Sequence, residues 1–482
     1  MSENTDPQRS PAERDQQDSW NRYVEDFRHA GHQAVDWIAG YLGGVSQYPV
    51  LAQVKPGELA DSLPRAGPST GETFEAILRD FDRMIMPAVT QWNHPRFFAY
   101  FACTGSTPAI LGDMLAAALN TNGLHWKTSP AVAELEQVTL DWLRQWMGLP
   151  EGWTGIAYET ASESTMHAIA AAREMVAPEA RVNGNQPNLV VYTSAQAHSS
   201  VEKGAITVGM GQSNVRKVPV DAEFRMIPAE LANLVRQDLA AGKRPCCVVA
   251  TVGTTSTTSI DPVAEIAEIA TQNGMWLHVD AAYAGAAAIL PECQHILNGT
   301  QQGHSIVVNT HKWLLTPIGL SALYTPRPDI LRRAFSLVPE YLHTHADPRA
   351  HDLMDYGVAL GHRFRALKFW FVLRYFGLDR LQAALRSHIE WAQRLASLID
   401  SHPDFERVAP VPFSVVCFRY KGTDDQNKAI EEQINATGKA FLSHTVLHGK
   451  ITLRLAIGNL ATTWKDIEET WEEIQRAAKN IR

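Results

Sequence analysis

Residues 275–283 read MWLHVDAAY, and this stretch decides the fold. Apolar side chains fall on both alternating faces of the run. A strand with that pattern belongs to a sheet covered on both sides. The apolar run ends at Asp280, a carboxylate that needs a cation or strong donors once it is buried. Working outward, residues 188–194 (NLVVYTS), 246–253 (CCVVATVG), 304–308 and 320–325 have the same character. Between two of them Asp261 and Pro262 start a helix, Asp261 as N-cap and Pro262 at the first position, and Gly274 closes it. Apolar strands alternating with helices predict an α/β fold with a mostly parallel central sheet. Ligands of such sheets bind beyond the carboxyl ends of the strands. The polar residues that end the strands are therefore the ones to read for chemistry.

One strand–helix step after Asp280 comes NTHKWLL, residues 309–315. Lys312 sits inside an otherwise apolar run. Burying an ammonium is costly, so this lysine either extends its head to water or is an amine that reacts with a carbonyl. Asp280 and Lys312 fall at the same end of the same sheet. Such a pair matches what pyridoxal 5'-phosphate (PLP) requires: an amine to form an imine, and a carboxylate to keep the ring nitrogen protonated. A phosphate also needs a cradle. Residues 158–164 (YETASES) precede a helix over 165–176, and free amides and hydroxyls at a helix start bind anions. The same residues also suit a plain capping box. His198, just past the strand 188–194, is either a structural histidine or one that stacks on a flat ring.

The remaining features bound the class. The 482 residues carry 43 basic and 52 acidic side chains, a formal net charge of -9. That balance argues against nucleic acid or an anionic membrane as partner. The five cysteines, Cys103, Cys246, Cys247, Cys293 and Cys417, form no CxxC pair. They suggest neither a zinc site nor a disulfide framework, and they fit a reducing cytoplasm. An HxH pair, His343 and His345, lacks acidic or cysteine companions at ligand spacing, so no metal is expected. No apolar run is long enough to span a bilayer.

Residues 1–17 read as a disordered polar tail. Two helical patterns follow, one through Tyr23, Phe27, Val35 and Ile38, the other over 73–84. Neither has a core of its own, which predicts that their apolar faces pack on a second copy of the chain. Residues 336–355 form a long irregular segment expected to be a functional loop or disordered. Helices near 363–375 and 379–398 come next. Strands at 413–420 and 450–457, flanked by helices at 426–434 and 463–477, predict a small α+β unit. The expected division is 1–106, a helical dimer-clasping segment; 107–367, the large cofactor domain; and 368–482, the small domain.

These stretches together resemble the aromatic L-amino acid decarboxylases, within the PLP-dependent group II decarboxylases. The resemblance rests on HPRFFAYF (94–101), SPAVAELE (129–136), TASEST (160–165), AQAHSSVEKG (195–204), VVATVGTT (248–255), WLHVDAAYAG (276–285), NTHKWLL (309–315), PEYL (339–342) and LGHRFRALKFWF (360–371). It implies the aminotransferase-like type I fold and a homodimer with sites at the interface. It also implies that Lys312 holds PLP, that Asp280 pairs with its ring nitrogen and that Ala282 packs on the ring. His198 would stack on the opposite face, with Thr251 near the ring hydroxyl. Thr160, Ala161, Ser162, Asn309 and His311 would hold the phosphate. The loop tyrosine Tyr341, helped by His198, would deliver a proton to Cα. In the related aldehyde synthases a phenylalanine stands there, so Tyr341 favours simple decarboxylation.

For the substrate, the resemblance points to Tyr100 and Phe101 as pocket aromatics. Cys103 replaces a threonine that can bond a ring hydroxyl. Leu124, flanked by Asn122 and His125, replaces a phenylalanine that faces the substrate from the partner chain. Gly361 stands where plant enzymes for indoles carry glycine and those for phenols carry serine. The combination leans toward tryptophan or phenylalanine over tyrosine and DOPA. An aldehyde synthase, or a decarboxylase of a non-aromatic amino acid, is the alternative. Thr310 replaces a usual proline, and Glu159 replaces a glycine before the phosphate loop, where a carboxylate is unfavourable unless it turns away.

Overall fold

A seven-stranded sheet carries the site. In chain order its strands are β1 (Thr154–Tyr158), β2 (Leu189–Ser194), β3 (Val215–Val218), β4 (Arg244–Thr251), β5 (Trp276–Asp280), β6 (Ser305–Asn309) and β7 (Ser321–Thr325). Their spatial order is β1-β7-β6-β5-β4-β2-β3. The inner run from β3 to β6 is parallel, and β7 lies antiparallel to both β6 and β1. The structure, a computed structural model, describes residues 11–184, 188–337 and 350–481.

The doubly apolar strands are explained by two cores, one on each face. Val248, Ala250, Leu277, Val279, Ile306 and Val308 enter one core. Their alternates Cys247, Val249, Trp276 and Val307 enter the other. The fold is the mostly parallel α/β arrangement expected, although β1 and β3 lie outside the strands read from the sequence. The stretch that starts at Met275 leaves the strand at Asp280.

A second sheet, all antiparallel, has the order β10-β11-β9-β8. Its strands are β8 (Phe405–Arg407), β9 (Val415–Tyr420), β10 (Ser443–Leu447) and β11 (Lys450–Ala456). Val416, Phe418, Leu453 and Leu455 face a core shared with Trp471 and Ile474 of the C-terminal helix. Val415, Cys417 and Ala456 face the large domain instead. The helical patterns at 363–375 and 379–398 form one element, Arg365–Ser401, bent at Gly377, whose φ is 64°. Glycine adopts that value without steric cost.

Two sequence expectations are corrected. Asp261 does not cap the following helix, which spans Val263–Gln272 with Pro262 as N-cap. Its carboxylate instead accepts the backbone N–H groups of Met226 at 2.7 Å and Thr251 at 2.8 Å, tying down the end of β4. Residues 11–17, read as part of a disordered tail, open a helix, Pro11–Gly44. Trp20, Tyr23 and Phe27 on it are 59%, 65% and 69% exposed, an apolar surface left open among the described residues.

Candidate active site

The strand register assembles the site. Thr251 pairs with Asp280 and Asp280 with Val307, so Thr251, Asp280 and, two residues on, Asn309 end three adjacent strands. A short helix, Thr310–Trp313, follows β6 at once and carries Lys312. Buried Trp313 anchors that helix: its indole donates to His388 Nδ1 at 3.0 Å and stacks on Tyr283 at 4.8 Å. Tyr283 in turn stacks on Phe101 at 4.1 Å. Phe101 arrives along the small domain, because residues 96–98 exchange backbone hydrogen bonds with Phe441 and Ala456.

Lys312 Nζ lies 5.0 Å from the centre of the Phe101 ring. Burial pulls its amine pKa below the ordinary lysine value. Asp280 and Cys103 oppose that, and Arg454 adds to it. A depressed amine is more often neutral and nucleophilic. Cys103 stands close enough for Lys312 to pull its thiol down, although burial pushes that thiol up overall. His198 is on the open side, with Nδ1 accepting the Ser200 N–H at 3.2 Å. Loss of hydration lowers its pKa; Asp280 opposes this and Lys312 reinforces it. Asp280 and His198 thus share the cleft with Lys312. Ala282 is buried beside them, its N–H on Asp280 Oδ1 at 3.1 Å.

The residues present fit PLP. Thr251 Oγ1, a hydroxyl that can donate to a ring oxygen, is buried without a partner among the described residues, and such atoms are rare unless a ligand completes them. The helix Ala161–Val176 has Thr160 as N-cap in extended conformation, with no side-chain cap. The capping-box alternative therefore does not hold, and the first amides stay open for a phosphate. Glu159 is turned aside: its carboxylate pairs with Arg365 Nε at 2.9 Å. His311 Nδ1 rests on the Leu320 carbonyl at 2.9 Å, and burial brings its pKa down to about 4, which leaves it neutral.

Four of the expected substrate residues gather elsewhere. The Gly123 N–H donates to the His362 carbonyl at 2.8 Å, and the His362 N–H to Asn122 Oδ1 at 3.0 Å, binding the 122–125 loop to Gly361. His362 Nε2 meets Glu136 at 2.7 Å, both buried. The Met354 N–H reaches the Leu124 carbonyl at 3.2 Å, and His125 lies 3.6 Å from Asp352. A cavity of about 460 Å³ borders this group and Glu159, lined by Asn120, Thr121, Arg363 and Lys368 among others. The Tyr100 ring lies against Trp92 and Phe441 and is 55% exposed. Tyr341, His343 and His345 lie outside the described residues. Among the described residues no group of three or more His, Cys, Asp or Glu could hold a metal ion.

Sequence reading missed Arg454, which is buried against Phe101. The available signal was its place in KITLRLA: alternation with Leu453 and Leu455 puts a cation on an inward face.

Comparison with known proteins agrees with this geometry. Residues 56–421 match the pyridoxal-dependent decarboxylase conserved domain. Aromatic-L-amino-acid decarboxylase of Mus musculus is 40% identical over 473 residues, covering 95% of this chain and 98% of that one. Phenylacetaldehyde synthase of Arabidopsis thaliana is likewise 40% identical, covering 95% and 96%. The structure of Oryza sativa TDC with PLP and tryptamine superposes with a TM-score of 0.92 at 36% identity, covering 95% and 98%. The chain belongs to the pyridoxal-dependent decarboxylase family. It is a PLP-dependent carboxy-lyase with the type I fold.

Proposed function

We propose that the chain decarboxylates an aromatic L-amino acid to its arylalkylamine and CO2, with tryptophan or phenylalanine favoured over tyrosine and DOPA. The observation that carries this is the wall beside Lys312: the buried Phe101 ring 5.0 Å from Nζ, with the weakly polar Cys103 nearby where a hydroxyl donor would be needed for a phenol. PLP, when bound, supplies an electron sink for the pair left at Cα as CO2 departs.

The chain's own residues do the rest. Lys312 holds the cofactor through its amine. Asp280 offers a carboxylate for the ring nitrogen, and His198 and Ala282 flank the ring. Thr251 completes its orphaned hydroxyl on it, and the amides of Ala161 and Ser162, with Thr160, Asn309 and His311, take the phosphate. Phe101 excludes water from the side-chain pocket, with Cys103 at its edge. Tyr341 delivers the proton to Cα, helped by His198.

The protein acts as a homodimer in a reducing cytoplasm. The exposed faces of Trp20, Tyr23 and Phe27, and of Leu111, Leu115 and Leu119, support this, as do the five free cysteines. In that dimer Asn122, Leu124, His125 and Gly361 reach the other copy's Lys312, and Tyr100 borders the same entrance. Segment 1–106 clasps the partner, 107–367 holds PLP, and 368–482 is the small domain.

A substrate panel tests the proposal: tryptophan, phenylalanine, tyrosine, DOPA, histidine and glutamate, with CO2, amine, aldehyde and peroxide measured. Tryptamine or phenylethylamine with stoichiometric CO2 is expected. Aldehyde with equimolar peroxide would make the chain an aldehyde synthase, and turnover of glutamate or histidine alone would remove the aromatic assignment.

A further inference from the structure

Arg454 stands where the small domain meets the Lys312 pocket. Leu453 and Leu455 on β11 face the small-domain core, so Arg454 faces the large domain. Its side chain is almost wholly buried. Nε donates to the Ser256 carbonyl at 2.9 Å and Nη1 to the Tyr100 carbonyl at 2.7 Å. Cζ lies 4.8 Å from the centre of the Phe101 ring, the same ring that Lys312 approaches. Nη2 is buried with no acceptor, and among the described residues no carboxylate forms an ion pair with the guanidinium. Buried guanidinium groups are ordinarily neutralised by acids. This one is held by two carbonyl oxygens and a π face, with charge left over.

We infer that Arg454 is a positioning residue of the active site, clamping the Tyr100 backbone and the Phe101 ring beside Lys312 and keeping an uncompensated positive charge one aromatic ring from the amine. This rests on Lys312 being the lysine that holds PLP. The clamp acts on a strained point. Tyr100 has a φ of 52°, which side-chain-bearing residues seldom adopt, and its N–H and C=O are fixed by Ser443 Oγ at 3.2 Å and by Arg454. Without the clamp that strain relaxes and Phe101 shifts. The charge acts on Lys312 against the groups that face it from other elements. Asp280 from β5 favours the protonated amine, Cys103 from the segment after Phe101 acts with Asp280, and His198 faces it from the loop after β2. His311 is its chain neighbour. Arg454 is the cation that opposes Asp280 from the small domain.

The test uses PLP-loaded wild type, R454M and R454K. The readouts are the pH midpoint of the visible absorption band and KM for the best aromatic substrate. The wild type must first show a visible band that borohydride abolishes at Lys312; if it does not, the cofactor reading fails, whatever Arg454 does. R454M is expected to move the midpoint upward by about half a unit or more, as loss of a nearby cation should, and to raise KM. R454K keeps the charge but not both carbonyl bonds, so its midpoint stays at the wild-type value while KM rises. A folded R454M with unmoved midpoint overturns the electrostatic role, and unmoved KM in both variants overturns the clamp. If R454M does not fold, R454K decides: raised KM at constant midpoint supports the inference and unchanged KM overturns it. A role in stability alone would lower the melting temperature and leave both readouts in place.

Discussion

The two parts of the candidate site are built on opposite rules. Around Lys312, buried polar atoms lack partners among the described residues: Thr251 Oγ1, Asn309 Oδ1 and Arg454 Nη2. Around Gly361 they are mostly satisfied. Glu136 takes the Ala157 N–H at 2.9 Å and His362 at 2.7 Å, Asn122 takes the His362 N–H at 3.0 Å, and Asp352 takes the Trp126 N–H at 2.9 Å. His125 Nδ1 is the exception, 3.6 Å from Asp352. An unsatisfied buried group costs free energy until a ligand completes it, whereas a satisfied network holds a shape. On the proposed reading, the first region receives PLP and the second presents a rim.

Lys312→Ala should produce the largest break between them. It removes the amine, so the borohydride-sensitive band should vanish and turnover should fall by on the order of 10³-fold or more. The fold should survive, as circular dichroism can check, since Trp313 rather than Lys312 anchors the helix Thr310–Trp313.

Acid should act next, through the buried histidines on both sides of the comparison. Burial lowers His167 to about 3 and His278, His311 and His388 to about 4, from the ordinary 6.5. Below pH 6.5 the unfolded chain binds protons that the folded chain refuses. Stability is therefore complete above about 6.5 and is lost as pH falls from there toward 4. Each pH unit by which burial lowers one of these histidines is worth about 1.4 kcal/mol. Thermal melts from pH 7.5 to 4.5 check this, and a flat melting temperature across that window would contradict it.

Glu136→Gln sharpens the comparison from the other side. The buried bond to His362 weakens, costing about 1–3 kcal/mol, and the 122–125 loop loosens. KM should rise while the visible band and its pH midpoint stay unchanged, because Lys312 is untouched; a moved midpoint would show that the two regions are not separable. Gly361→Ser should have the smallest effect. A Cβ there meets only Asn122, at 3.8 Å, so stability should change by no more than about 0.5 kcal/mol. The substrate panel should tilt toward tyrosine, and an unchanged panel would remove Gly361 from the specificity argument.

Much of the Lys312 region was legible in the chain because it depends on order along strands. A doubly apolar strand ends at Asp280, a second ends at Asn309, and a parallel sheet brings such ends to one side. The Gly361 region was legible only through resemblance. Asn122 and Glu136 lie more than two hundred residues before Asp352 and His362, and the four follow no period. Asp261 looked like a helix cap because Asp-Pro is a local signal; its real partners, the amides of Met226 and Thr251, are tertiary. Arg454 escaped notice for a similar reason, since one cation in a short strand says nothing about what lies opposite.

By itself, then, the sequence determined five of the seven strands of the sheet and the lysine–carboxylate pair at one of its ends, because burial periodicity and chain order are local properties. Only the tertiary structure decided that Glu159 turns to Arg365, that the Tyr100 ring rests on Trp92 while Phe101 faces Lys312, and that an arginine of the second sheet stands behind Phe101. Those outcomes depend on which polar groups meet across hundreds of residues, and no local preference encodes that meeting.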